Sequence, residues 1–185
     1  MPAWYLLNQS GYDLRAPTAA QSQGLEVLRE YLDANGKPVA TLRLGQEVTV
    51  RLRVRALGAP ARGQVAIVDL LPGGFEAVLQ PKPAAAAVDA PCEEGCDGNE
   101  SWVPPMLPLA LPGSTLQPQH VEVREDRVVL YADATAEVRE FRYRVRANNV
   151  GAFSVPPVYA ESMYDRGVYA QGGPAGRLQV AAPTP

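Results

Sequence analysis

Along residues 140–147 the chain alternates without a break. Phe141, Tyr143, Val145 and Ala147 take every second position, with Glu140, Arg142, Arg144 and Arg146 between them. A period of two sustained this long predicts a strand with one dry face and one wet face. Asn148-Asn149-Val150-Gly151 interrupts the pattern, and Asn and Gly tolerate the positive φ that a chain reversal needs. Phe153 and Val155 resume it as an expected return strand. Pro156-Pro157 ends that strand, because proline has no N–H to give to a ladder. The expectation is a hairpin whose apolar face the other strands pack against.

Residues 47–56 alternate just as clearly. Val48, Val50, Leu52, Val54 and Ala56 share one face, and Thr49, Arg51, Arg53 and Arg55 the other. Upstream, Leu25 to Leu32 is a plausible strand. Asp33-Ala34-Asn35-Gly36 follows it and predicts a tight hairpin, with Val39 to Leu44 as partner. After a turn at Gly58 to Gly63, Val65 to Leu71 is apolar on both sides, which predicts a central strand covered on both faces. Pro72-Gly73-Gly74 stops it, and Phe75 to Leu79 continues at an edge. Val121, Val123, Val128 and Leu130 form a further hairpin around Glu125-Asp126. VYAESMYDRGVYA, residues 158–170, is a tyrosine-bearing loop or edge segment, and Gly176 to Val180 a last short strand.

With little helix signal, the pattern predicts an all-β, immunoglobulin-like β-sandwich of Greek-key type with roughly seven to nine strands. Residues 1–24 form a lead-in, with Ala16 to Gly24 as linker. Residues 25–180 form the sandwich, and 181–185 a tail. Residues 81–119 show no period and carry much proline, four consecutive alanines and both cysteines. They form a long irregular insert, with Trp102 as its best anchor.

Composition narrows the function classes. The chain has 185 residues, 46% of them hydrophobic, which suffices for a real core. Its formal charge of −3 lacks the basic excess of a nucleic-acid binder. No apolar run approaches the ~20 residues that span a bilayer. MPAWYLLNQSGYD has neither a basic region nor a long apolar core, so it is not a signal peptide. The chain is therefore either cytosolic or cut from a longer secreted precursor. The 18 prolines and 16 glycines fit a turn-rich β-protein.

Candidate chemistry is sparse. His120 is the single histidine, so any hydrolytic triad would have to use it; a histidine entering a strand is far more often structural. There is no glycine-rich phosphate loop and no His/Cys cluster at metal spacing. Hence no catalytic residue, cofactor or metal is expected. Cys92 and Cys96 cannot complete a zinc site alone. A small loop disulfide in an oxidising compartment is favoured over two free thiols. The nearby Glu93, Glu94, Asp97 and Glu100 lack the regular spacing of a calcium loop.

Two arginine ladders, Arg51, Arg53, Arg55 and Arg142, Arg144, Arg146, are expected as a solvated face balanced by Glu47, Glu122, Glu137 and Glu140 rather than as a polyanion site. Tyr159, Tyr164 and Tyr169, with Met163, fall in a proline-bounded segment without a period. There they suit a contact surface for another domain, where Tyr and Met are enriched.

Several stretches taken in order resemble one family. GLEVLREYLDANGKPV, LRLGQEVTVRLRVRA, VAIVDLLPGGFE, HVEVREDRVVLY and FRYRVRANNVGAFSVPPVYAESMYD resemble the C-terminal, tenth macroglobulin domain of bacterial alpha-2-macroglobulins. The likeness runs from about Trp4 to Val180. It implies a macroglobulin β-sandwich within a periplasmic, often lipid-anchored proteinase trap. Its partners are then the neighbouring domains of the same long chain, proteinases met by the whole protein, and other periplasmic proteins, with no nucleic acid. Some relatives carry a thioester with the motif Cys-x-Glu-Gln. Cys92 is followed by Glu-Glu-Gly and does not match it, so any thioester lies upstream. In those relatives an aromatic-and-methionine latch of the last domain shields the bond from water, and the matching positions are Met163 and Tyr164. The alternative is a free-standing immunoglobulin-like adhesion or carbohydrate-binding module.

Overall fold

The structure is a computed structural model and describes residues 7, 19–58, 60–79, 109–173 and 176–182. Among these there are thirteen strands and no helix. The count exceeds the expected seven to nine because several strands are only three or four residues long, too short for a visible period.

The four-stranded sheet holds the two alternating segments. β2 (Leu25–Leu32), β4 (Glu47–Ala56), β9 (Arg139–Ala147) and β6 (Phe75–Val78) lie in that order. Along β4 every second residue is buried, as the period requires. The six-stranded sheet runs β1 (Gln21–Gln23), β12 (Tyr169–Gln171), β11 (Tyr159–Ser162), β5 (Ala61–Leu70), β8 (Arg127–Thr135) and β7 (His120–Val123). A three-stranded sheet joins β10 (Gly151–Ser154), β13 (Arg177–Ala181) and β3 (Thr41–Arg43), with β3 and β13 parallel. β2 packs on β11 and β12, and β4 on β8. The inward faces meet in one core that includes Leu52, Phe141, Tyr143, Ile67, Leu130 and Ala160.

Two expected hairpins do not form. The return strand at Phe153 pairs with β13, not with β9. Both edges of β9 are already taken: β4 covers one, and β6 pairs with 144–147 on the other. Phe153 instead sets its ring edge-on to Phe75, 5.9 Å between centroids. At Asp33–Gly36 the turn is real, with the Gly36 N–H donating to the Asp33 carbonyl at 3.0 Å. Past the Val39 N–H to Tyr31 carbonyl bond at 3.0 Å, however, the chain leaves β2. Pro38 has no N–H to extend the ladder, and Leu42 is buried in the core within the third sheet.

The supposed linker contains β1, which pairs with β12, and Ala181, placed in the tail, is the last residue of β13. β5 is central as expected, between β11 and β8. Its outward Val68 is only half-buried, so full cover on both faces does not hold among the described residues. The last part of the insert is docked. Leu109 and Leu116 are buried, and the N–H groups of Leu111 and Thr115 donate to the Arg142 and Glu140 carbonyls, each at 2.8 Å. This stretch continues the edge of β9 where β6 stops. Trp102, Cys92 and Cys96 lie outside the described residues.

The arginine face is a lattice of ion pairs. Arg51 and Arg53 share Glu30, Arg55 meets Glu26, Arg142 meets Glu140, and Arg144 and Arg146 share Glu47. Two of the expected acids serve elsewhere, Glu122 with Arg124 and Glu137 with Arg139. Arg51 does stand opposite Arg142, and the carboxylates Glu30 and Glu140 neutralise that like-charge contact.

Candidate contact site at the hairpin of residues 159–171

The segment expected as a loop or edge is a hairpin inside the six-stranded sheet. β11 pairs with β5 on one side and β12 on the other. Ala160 and Ala170 point into the core and are fully buried. Tyr159 and Glu161 take the opposite face, with Tyr169 across from Glu161. This arises from the small residues at alternate positions: alanine lets the strands approach the facing layer, and the tyrosines remain outside.

The Tyr159 hydroxyl donates to Glu161 Oε2 at 3.0 Å. Partial burial, then this hydrogen bond, push its phenol up to about 12. Tyr159 therefore meets neutral pH as a half-buried, uncharged hydrogen-bonding group.

Met163 and Tyr164 stand at the tip, with 52% and 80% of their surfaces exposed. The tip is ordered by backbone bonds. The Ser162 N–H donates to the Val168 carbonyl at 2.9 Å, and the Val168 N–H to the Asp165 carbonyl at 2.9 Å. The Asp165 side chain accepts from the Gly167 N–H at 3.0 Å, a local turn that Asp favours. Two large side chains are thus held out in water on a fixed support. A soluble surface tolerates scattered apolar residues, but a paired methionine and tyrosine at one tip also suits contact with another surface.

Beneath the hairpin lies a buried polar cluster. Arg29 points inward from β2, and its guanidinium pairs with Asp69 on β5. Arg29 Nη1 also donates to the Leu70 carbonyl at 3.2 Å, and Nη2 donates to the Pro156 carbonyl at the approach to β11. The Tyr143 hydroxyl on β9 donates to Asp69 Oδ2 at 2.6 Å. Burial pushes the Asp69 carboxyl up, against the pull of Arg29 and Tyr143. Burial alone would lower the Arg29 guanidinium, but Asp69, with Tyr31 and Tyr143 beside it, holds it up. The Arg29 guanidinium also lies 5.3 Å from the centre of the Tyr31 ring. A signal was available: Arg29 shares the alternate positions of LEVLREYL with Leu25, Val27 and Tyr31, which are buried. An arginine there demands a buried anion.

The other candidates stay apart from this site. His120 is exposed at the start of β7, its ring 5.7 Å from that of Tyr131. Among the described residues no group of three or more His, Cys, Asp or Glu could hold a metal ion.

The model of the Bacterial Alpha-2-macroglobulin MG10 domain matches residues 24–166. The chain belongs to the bacterial alpha-2-macroglobulin MG10 domain family. The alpha-2-macroglobulin homolog of Yersinia pestis is 44% identical over 182 residues, which is 98% of this chain and 9% of that protein. Salmonella alpha-2-macroglobulin reacted with methylamine superposes with a TM-score of 0.69 at 26% identity, over 92% of this chain and 10% of that one. Escherichia coli alpha-2-macroglobulin activated by porcine elastase gives 0.66 at 28% identity, over 92% of this MG10 domain and 14% of that chain. The MG10 domain thus spans about a tenth of the relatives it matches. Its all-β build superposes on the matched part of those structures, and its hairpin tip at Met163 and Tyr164 lies within the residues that the family model matches.

Proposed function

We propose that this MG10 domain is a non-catalytic part of a periplasmic, membrane-anchored alpha-2-macroglobulin-type proteinase trap. Its task is to pack on neighbouring domains of the same long chain and hold the uncleaved state. Proteinases and any other periplasmic proteins meet the whole molecule rather than this domain alone. The observation that carries the reading is the exposed Met163–Tyr164 pair on a backbone-fixed tip, with Tyr159 extending the contact along β11. An apolar lid of this kind excludes water from whatever it covers. The relative activated by porcine elastase supports the proteinase link. The adhesion or carbohydrate-binding alternative has no observation in its favour.

The test uses the full-length protein that carries this domain. Met163→Ala and Tyr164→Ala are expected to leave expression intact, raise sensitivity of the resting state to limited proteolysis, and expand its shape in small-angle scattering. Wild-type sensitivity and shape in both variants would reject the contact role. His120→Ala is expected to change neither readout.

A further inference from the structure

One strained residue sits directly behind the exposed tip. Where β5 pairs with β8, Arg62 faces Ala134 and Val65 faces Ala132, so Gly63 and Gln64 together oppose the single residue Asp133. This is a β-bulge, a device that bends a strand and re-aims the residues beyond the bend. Gln64 has φ of 53° and is the one non-glycine residue with positive φ among the described residues. A side chain adopts that left-handed conformation only when its surroundings dictate it.

Two bonds dictate it here. The Gln64 N–H donates to Asp133 Oδ1 at 2.9 Å. The Gln64 carbonyl accepts from the Met163 N–H at 2.9 Å. The last regular pair between β11 and β5 is Ser162 with Val65, so the Met163 bond lies one step past the ladder and depends on how the Gln64 peptide is turned. Met163 and Tyr164 have too little burial to fix themselves. The route from Asp133 through Gln64 to the Met163 backbone supplies what packing does not.

We infer that Asp133 and Gln64 are positioning residues that preset the Met163–Tyr164 tip for its contact. The inference rests on the proposed contact role and adds to it which residues set the geometry. Asp133, Gly63 and Gln64 are themselves exposed, so packing of the core does not explain a strained bulge held by a carboxylate. A preset tip loses less freedom on docking than a loose one.

The experiment has two arms. In the 185-residue chain, amide hydrogen exchange is followed residue by residue for Asp133→Ala, Asp133→Asn and Gln64→Gly. Asp133→Ala is expected to speed exchange at Gln64 and Met163 by about tenfold, with β4 and β9 amides unchanged. Asp133→Asn keeps an oxygen acceptor and is expected to stay within about threefold of wild type at both amides. Gln64→Gly relieves the strain but frees the backbone to leave the left-handed region, so Met163 exchange is expected to rise.

In the full-length protein, Asp133→Ala is expected to reproduce the proteolytic loosening of Met163→Ala, and Asp133→Asn to restore the resting behaviour. Unchanged Met163 exchange in Asp133→Ala overturns the inference. So does a full-length Asp133→Ala that stays closed while Met163→Ala opens. If Met163→Ala itself stays closed, the contact reading fails and this inference with it; the exchange arm then still reports separately on the bulge.

Discussion

Arg29 and Asp69 form an ion pair across the two facing sheets, with side chains 2% and 0% exposed. Tyr143 completes the carboxylate's bonding at 2.6 Å. Removing one member leaves the other charge buried without a partner, which costs far more than the pair itself contributes. Arg29→Met is expected to lower stability by about 3–5 kcal/mol. Adding Asp69→Leu to it should recover part of that loss, since the buried Tyr143 hydroxyl then lacks its acceptor. Urea unfolding of the two single variants and the double variant checks this, since the cost should be strongly non-additive.

Gly74 separates two ways in which a side chain can be refused. Its φ is +83°, and an added Cβ would lie 2.7 Å from Phe153 Cζ and 3.1 Å from Asn149 Cβ. Gly36 has φ of +76° with nothing within 4 Å. Gly36→Ala should therefore cost only backbone strain, about 1 kcal/mol. Gly74→Ala should cost about 1–3 kcal/mol more, because it also overpacks the Phe153 ring held against Phe75. Thermal melts of the two variants give the difference.

The tyrosines set an alkaline limit. Burial raises the phenols of Tyr31 and Tyr143, and burial with the Glu161 bond raises Tyr159 to about 12. In the unfolded chain all three ionise at about pH 10. The folded state therefore binds more protons than the unfolded state above that pH, and stability falls as pH rises. The contribution is complete below about pH 10 and is lost on the way to the folded values. Ultraviolet titration of the native chain should show these phenols ionising late. The urea midpoint should decline over the same range.

Met163→Ala and Tyr164→Ala probe contact without probing the fold. Both side chains lie largely in water, and such surface changes usually stay within about 0.5 kcal/mol. Melting temperatures of the 185-residue chain should hardly move in either variant. A large drop would mean that the tip supports the domain itself.

The strands with sustained alternation are legible in the residues alone. β4 spans the predicted Glu47–Ala56, and β2 the predicted Leu25–Leu32. The acidic partners of the arginine ladders are only half legible. Glu47 and Glu140 take part, but Glu26 and Glu30 supply the rest from β2, because cross-strand pairing brings them opposite. The candidate contact residues Met163, Tyr164 and Tyr159 stand out as large side chains in a proline-bounded segment, whose alternation of alanine with tyrosine is too short to read as a strand. The bulge that supports them does not, since Gly63-Gln64 looks like any turn until Asp133 faces it.

The sequence by itself determined the class of the fold, the faces of its long strands and the family to which the chain belongs. A period of two states which side chains are dry, and that property is local. It does not state which neighbour a strand takes, because every strand offers two edges with the same donors and acceptors. Only the tertiary structure decided that β10 leaves β9 for β13, that Arg29 finds Asp69, and that Gln64 holds Met163. Each of these joins residues far apart in the chain, and competition for a limited number of edges and buried partners selected them.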